Sequence, residues 1–75
     1  QVKIETAIYK AMKSSNEGSK QDARFVTQNI LKELQNIQMH FKHFIPTVEG
    51  IQDLVEKNLI LGNYIKTAKS YSHIT

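Results

Sequence analysis

Along the first dozen positions, Ile4, Ala7, Ile8 and Ala11 recur at three- and four-residue steps. That spacing puts them on one face of a helix, predicted to run from Lys3 to about Lys13. The run Ser14-Ser15-Asn16-Glu17-Gly18 then breaks the pattern with turn formers. Ser19 followed by Asp22 resembles a capping box, with Asp in place of the usual Glu or Gln. Beyond it Ala23, Val26, Ile30, Leu34 and Ile37 define a second, longer helix, and Asp22 suits the positive end of its dipole. The period changes next: Ile37, Met39 and Phe41 alternate with Gln38, His40 and Lys42. A period of two reads either as one strand or as an irregular connector carrying aromatics into the core. Pro46 biases Ile45 towards extended geometry. Thr47 is a good N-cap, and Val48, Ile51, Val55 and Leu59 build a third helical stripe that Gly62 ends. Asn63 is placed to cap a fourth helix whose apolar side is Tyr64, Ile65, Ala68 and Tyr71.

The fold class expected is mainly α: a bundle of four short helices in one domain over residues 1–75, with at most one short strand between helices two and three. A lone strand has a cost. Buried backbone groups without partners lose about 1–3 kcal/mol each, so a strand within Met39–Ile45 needs mates from outside this sequence.

Composition narrows the function classes. Seventy-five residues bury only about 60% of the surface their unfolded chain exposes, which makes any core thin. Cysteine is absent, removing disulfides, thiolate metal sites and thiol nucleophiles together. With 40% hydrophobic and 23% charged residues the chain reads as globular rather than disordered. No apolar run reaches the roughly 18 residues of a membrane span, and the N-terminus lacks signal-peptide features. It also lacks an initiator methionine, so we expect a piece of a longer protein. The net charge of +3 comes from nine Lys and one Arg spread along the chain against seven acids. Nucleic-acid modules cluster such charges on one face, so neither nucleic acid nor membrane is an expected partner.

Catalytic chemistry finds little support. His40-x-x-His43 is two ligands short of a zinc site, and in an extended segment its imidazoles point to opposite sides. The plainer reading is two partly exposed histidines beside Phe41 and Phe44. Ser72-His73 are neighbours at a chain end, poor support for a rigid acid–base pair. Glu49, Asp53 and Glu56 read as a solvated helix face, with Asp53–Lys57 adding an i, i+4 ion pair. Isolated Gly18, Gly50 and Gly62 form no phosphate-binding loop, but Lys3 opens the first helix, where free N–H groups and the dipole attract anions.

The blocks Pro46-Thr47-Val48-Glu49-Gly50-Ile51-Gln52-Asp53-Leu54-Val55-Glu56-Lys57, Gly62-Asn63-Tyr64 and Ala68-Lys69-Ser70-Tyr71 resemble the C-terminal half of an ATP-cone domain. Lys3-Ile4-Glu5-Thr6-Ala7-Ile8-Tyr9-Lys10-Ala11 is similar to that family's first helix, "K-I-x-x-A-I-x-K-A". The helix-three block looks most like those of anaerobic (class III) ribonucleoside-triphosphate reductases. The resemblance implies four helices capped by a small three-stranded sheet, with ATP or dATP bound between them as an allosteric effector. It implies a cytoplasmic regulatory part of a reductase, with no catalysis and no metal site of its own. Its partners would be the nucleotide, the rest of the parent chain and, in some states, further copies of itself. By the same resemblance Lys3 approaches the phosphates, Ile4 packs near the base, and Thr47 and Gln52 line the base or ribose. The family's basic hairpin, "V-x-K-R-D-G … F-D", falls just ahead of Gln1, and its strands are natural mates for the one inferred above. His73-Ile74-Thr75 replaces the family's aromatic-Arg ending, so nothing is carried over from there. The rival reading is a helical interaction module without nucleotide, presenting Phe41, Phe44 and Ile45 to a partner chain.

Overall fold

The computed structural model describes residues 2–43 and 45–74. Four helices follow in order: α1 (Val2–Ser15), α2 (Lys20–His40), α3 (Val48–Leu61) and α4 (Ile65–Ile74), with no strand among the described residues. α1 packs on α2 and α4, and α3 packs on the same two helices, so the four close into a ring around one core. Ile8, Ala11 and Met12 of α1, Ala23, Val26 and Ile30 of α2, Val55 and Leu59 of α3, and Ala68 and Tyr71 of α4 are buried there. Each fully buried Ile, Leu or Met contributes roughly 1.5–3 kcal/mol by leaving water.

Helix ends are fixed as their sequences dictate. Ser19 and Asp22 form the reciprocal capping box: the Ser19 N–H donates to Asp22 Oδ2 at 2.8 Å, and the Asp22 N–H to Ser19 Oγ at 3.4 Å. Thr47 caps α3, its hydroxyl accepting from the Gly50 N–H at 2.9 Å. Two asparagines terminate helices in the left-handed region, Asn16 at φ 56° after α1 and Asn63 at φ 68° after α3. In each case the next residue's N–H returns to a carbonyl five residues back, Glu17 to Met12 at 3.0 Å and Tyr64 to Leu59 at 2.8 Å. This is the Schellman closure, and Asn is the side chain that best tolerates its strained position after glycine.

Four expectations are corrected. The period of two at Ile37–Lys42 is not a strand: α2 continues through His40, and the Phe41 N–H closes it on the Ile37 carbonyl at 2.8 Å. A helix satisfies these backbone groups locally, which a strand without mates does not. Asn63 caps no helix start, since it closes α3 and α4 begins at Ile65. Val48 and Ile65 leave their apolar stripes and are exposed, whereas Met12, Thr27 and Thr67 are buried. Lys57 pairs across the bundle with Glu33 of α2 rather than with Asp53 on its own helix. Phe44 lies outside the described residues.

At the end where the α1–α2 and α3–α4 turns meet, polar side chains lock the ring. The Tyr64 hydroxyl donates to Asp22 Oδ1 at 2.8 Å. The Glu17 carboxylate accepts from both the N–H and the hydroxyl of buried Thr67, each at 2.8 Å, so a residue before α2 caps the first turn of α4. Thr67 thereby meets the requirement that a buried polar group be hydrogen-bonded.

Candidate functional site

At the opposite end the start of α1, the second half of α2 and the start of α3 surround a cleft of about 560 Å3, lined by Lys3, Ile4, Leu31, Leu34, Gln35, Gln38, Pro46 and Ile51. That volume lies within the roughly 300–1,000 Å3 of small-molecule pockets. The four α2 residues fall at i, i+3, i+4 and i+7, the spacing that gathers side chains on one helix face. Pro46 leads into the Thr47 cap, and Ile51 sits one turn into α3 on the same side. Leu31, Leu34, Ile4, Pro46 and Ile51, all half-buried, make the cleft apolar, while Gln35 and Gln38 are exposed.

Its electrostatics point one way. Among the described residues Lys3 is the charged side chain lining the cleft, and no carboxylate lines it. Lys3 is exposed and enters no ion pair among the described residues. The nearest acid in sequence, Glu5, faces Arg24 of α2 at 3.9 Å instead. Lys3 stands in the first turn of α1, where unpaired N–H groups and the helix dipole add further positive potential. A flat apolar molecule carrying an anionic tail suits these surroundings.

Lys3 and Ile4 both line the cleft. Thr47 and Gln52 do not line it. Thr47 is exposed with its hydroxyl engaged in the helix cap, and Gln52 is half-buried, each adjoining a lining residue, Pro46 or Ile51. Gln38 escaped notice because Ile37–Lys42 resembled a strand, and Leu31 and Gln35, within the expected second helix, carried no motif to single them out. The i, i+3, i+4, i+7 pattern on a longer α2 is the signal that finds them.

Around the cleft's α2–α3 side lies a second feature. Met39 (77% exposed), Phe41 (65%), Ile45 (83%) and Val48 (73%) are large apolar side chains left in water between the end of α2 and the start of α3. Scattered exposed apolars are ordinary, but here four fall within ten residues of the chain.

Metal and acid–base chemistry find no assembly among the described residues. No three His, Asp or Glu side chains gather there to hold a metal ion. His40, helical rather than extended, uses Nδ1 on the Asn36 carbonyl at 2.9 Å, and His43 lies in the following turn. The side chain of His73, and with it the Ser72–His73 pair, lies outside the described residues. Perturbed groups sit away from the cleft and are structural. The Tyr64 hydroxyl, then Ser19, hold the Asp22 carboxyl below the usual range, and Lys57 does the same for Glu33. Tyr64 is pushed up by its bond to Asp22, and Tyr71 by burial.

A family model described as the ATP cone domain matches residues 1–75. No curated protein and no solved structure matches the chain.

Proposed function

Given that this chain belongs to the ATP-cone family, nucleotide-binding domains that regulate allosterically rather than catalyse, we propose that its effector is ATP or dATP, bound in the cleft at the start of α1. The reading rests on one observation: an apolar cleft of nucleotide size whose charged lining residue is an unpaired lysine at a helix N-terminus. Lys3 meets the phosphates as a point charge and Ile4 packs against the base. Thr47 and Gln52, beside Pro46 and Ile51, border the ribose. The exposed patch of Met39, Phe41, Ile45 and Val48 supplies an apolar seat for the basic hairpin that the family resemblance implies, which closes over the nucleotide and adds cations. The regulated protein is a cytoplasmic ribonucleoside-triphosphate reductase of the anaerobic type, whose oligomeric packing responds to the effector. Support for that parent comes from the helix-three block, Pro46 to Lys57.

Thermal melts of the chain, alone and preceded by the hairpin, test this reading. A ligand at 100 times its dissociation constant stabilises by about 2.7 kcal/mol, which for a domain this small is a shift of roughly 11–22 °C. Absence of any shift with millimolar ATP or dATP in either form refutes nucleotide regulation.

The same exposed patch favours a second reading, an interaction module that presents it to a partner chain without nucleotide. Sedimentation analysis separates the two: a monomer at high concentration, unchanged by adding the hairpin, removes the second reading.

A further inference from the structure

Two side chains of the cleft, Gln35 and Gln38, have no task in the fold. Both are exposed, both line the cleft, and neither carboxamide makes a hydrogen bond among the described residues. They stand three residues apart on α2, which brings their side chains to neighbouring positions on one face. Leu31 and Leu34 lie on that same face and provide an apolar bed beside them. We propose that this pair selects adenine over guanine, an inference that rests on the nucleotide reading above.

The chemistry is complementary. A carboxamide offers one acceptor oxygen and one donor NH2 side by side. Adenine presents an N6 amine flanked by two ring acceptors, N1 and N7, so a carboxamide pairs with either side of it, its oxygen accepting from N6–H and its N–H donating to the ring nitrogen. Two glutamines one turn apart can take the two sides, each using one of the two N6 hydrogens. In guanine the amine is replaced by the O6 acceptor, and N1 becomes a donor. A carboxamide on the N1 side turns over and pairs with O6 and N1–H. One on the N7 side meets two acceptors, O6 and N7, and its oxygen is left unpaired, so the discrimination lies on the N7 side. Lys3, the cleft's cation, attracts the phosphates of either nucleotide and does not discriminate.

Calorimetric titration of the full protein with ATP, GTP and inorganic tripolyphosphate tests the assignment. Gln35→Leu and Gln38→Leu keep a good helix former at each site, with Gln28→Leu, on an exposed position of α2 outside the cleft, as control. Each cleft variant is expected to weaken ATP about tenfold, the scale of one bidentate base contact. Binding of tripolyphosphate stays unchanged, and the preference for ATP over GTP shrinks in the variant whose glutamine takes the N7 side. A second probe leaves the protein untouched: 7-deaza-ATP, which lacks the N7 acceptor, binds the parent protein more weakly than ATP does. If the parent protein binds ATP and both variants match it in affinity and in preference over GTP, the selector assignment is overturned while the nucleotide reading stands. If the parent protein binds no nucleotide at all, the reading itself falls and the assignment falls with it.

Discussion

The Glu17–Thr67 contact joins residues fifty apart in sequence, and its removal measures what the turn end of the bundle contributes. Thr67 is fully buried, and both its N–H and its hydroxyl donate to Glu17 Oε1 at 2.8 Å. The Thr67 hydroxyl also lies 3.0 Å from the Ser15 hydroxyl, within hydrogen-bond distance, so the carboxylate orders a wider polar cluster. Hydrogen bonds to charged acceptors are worth about 1.5–3 kcal/mol, and losing a helix cap costs about 0.5–2 kcal/mol. These overlap here, because one of the two bonds is the cap, so Glu17→Ala should destabilise by about 2–3 kcal/mol. In urea monitored by far-ultraviolet circular dichroism, with a slope on the order of 1 kcal/mol/M, the midpoint should fall by about 2–3 M. Glu17→Gln keeps an acceptor oxygen without the charge, and neutral bonds are roughly half as strong, so it should lose about half as much. A loss under about 0.5 kcal/mol for the alanine variant, the size of an ordinary surface change, refutes the claim that this carboxylate caps α4.

Four further outcomes follow from the same geometry. Lys3→Ala should weaken ATP about tenfold in calorimetric titration while leaving the unliganded melting temperature within a few degrees, since Lys3 is exposed and unpaired. Gly18 has φ +83°, and a Cβ there would sit 2.8 Å from the Met12 sulfur, so Gly18→Ala should cost about 1–2 kcal/mol in a urea melt. Asp22 and Glu33 are held below their ordinary values of 3.8 and 4.5, so the stability they add is present at neutral pH and lost as pH falls through the region below 4. Tyr64 and Tyr71 are raised above 10.0, so their contribution is present below that pH and lost as it rises beyond. Urea midpoints from pH 3 to 11 should trace a plateau with both edges, and Tyr64→Phe should make the acid edge shallower. The Lys57–Glu33 pair is half-exposed at both ends, so a double-mutant cycle should return about 0.5–1 kcal/mol of coupling, falling with salt.

Much of this architecture was legible in single residues. Ser19–Asp22 and Thr47 announced two helix starts because a short polar side chain beside an apolar run has one favourable use there, to hold the orphan N–H groups. The buried faces at Ile8, Ala11, Val26, Ile30, Val55 and Leu59 followed from period alone. What the sequence hid was non-local. Thr67 is buried because Glu17 reaches it, and no local pattern around either residue encodes that meeting. Lys57 chose Glu33 over Asp53 because packing of α2 on α3 set the carboxylate nearby. At Ile37–Lys42 the local pattern misled: exposed Met39 and Phe41 made an apolar alternation that belongs to the surface, not to a pleated face. The same misreading concealed Gln38, which lies beyond Ile37, whereas Gln35 lay within the expected helix and gave no signal of its own. Lys3 drew notice from its place at the start of α1 and Ile4 from the apolar period, and the family resemblance added the expected roles.

The two ends of the bundle divide stability from response. Carboxylate caps, two Schellman closures and the Tyr64–Asp22 bond fasten the turns between α1 and α2 and between α3 and α4. The cleft end has a different make-up: helix starts and ends, an irregular stretch after Phe41, and apolar side chains left in water. Among the described residues none of α4 lines the cleft, yet α4 packs against both α1 and α3, which do. On the proposed reading, a ligand held between Lys3 and Ile51 bridges the starts of α1 and α3, at the end of the bundle away from the fastened turns. Local opening is cheapest where buried contacts are fewest, and Met39, Phe41, Ile45 and Val48 stand exposed at that end. That region carries the exposed apolar patch. On the proposed reading, effector binding and the surface offered to the rest of the parent protein are then one equilibrium, and reciprocity requires that whatever covers the patch also changes nucleotide affinity by the same factor.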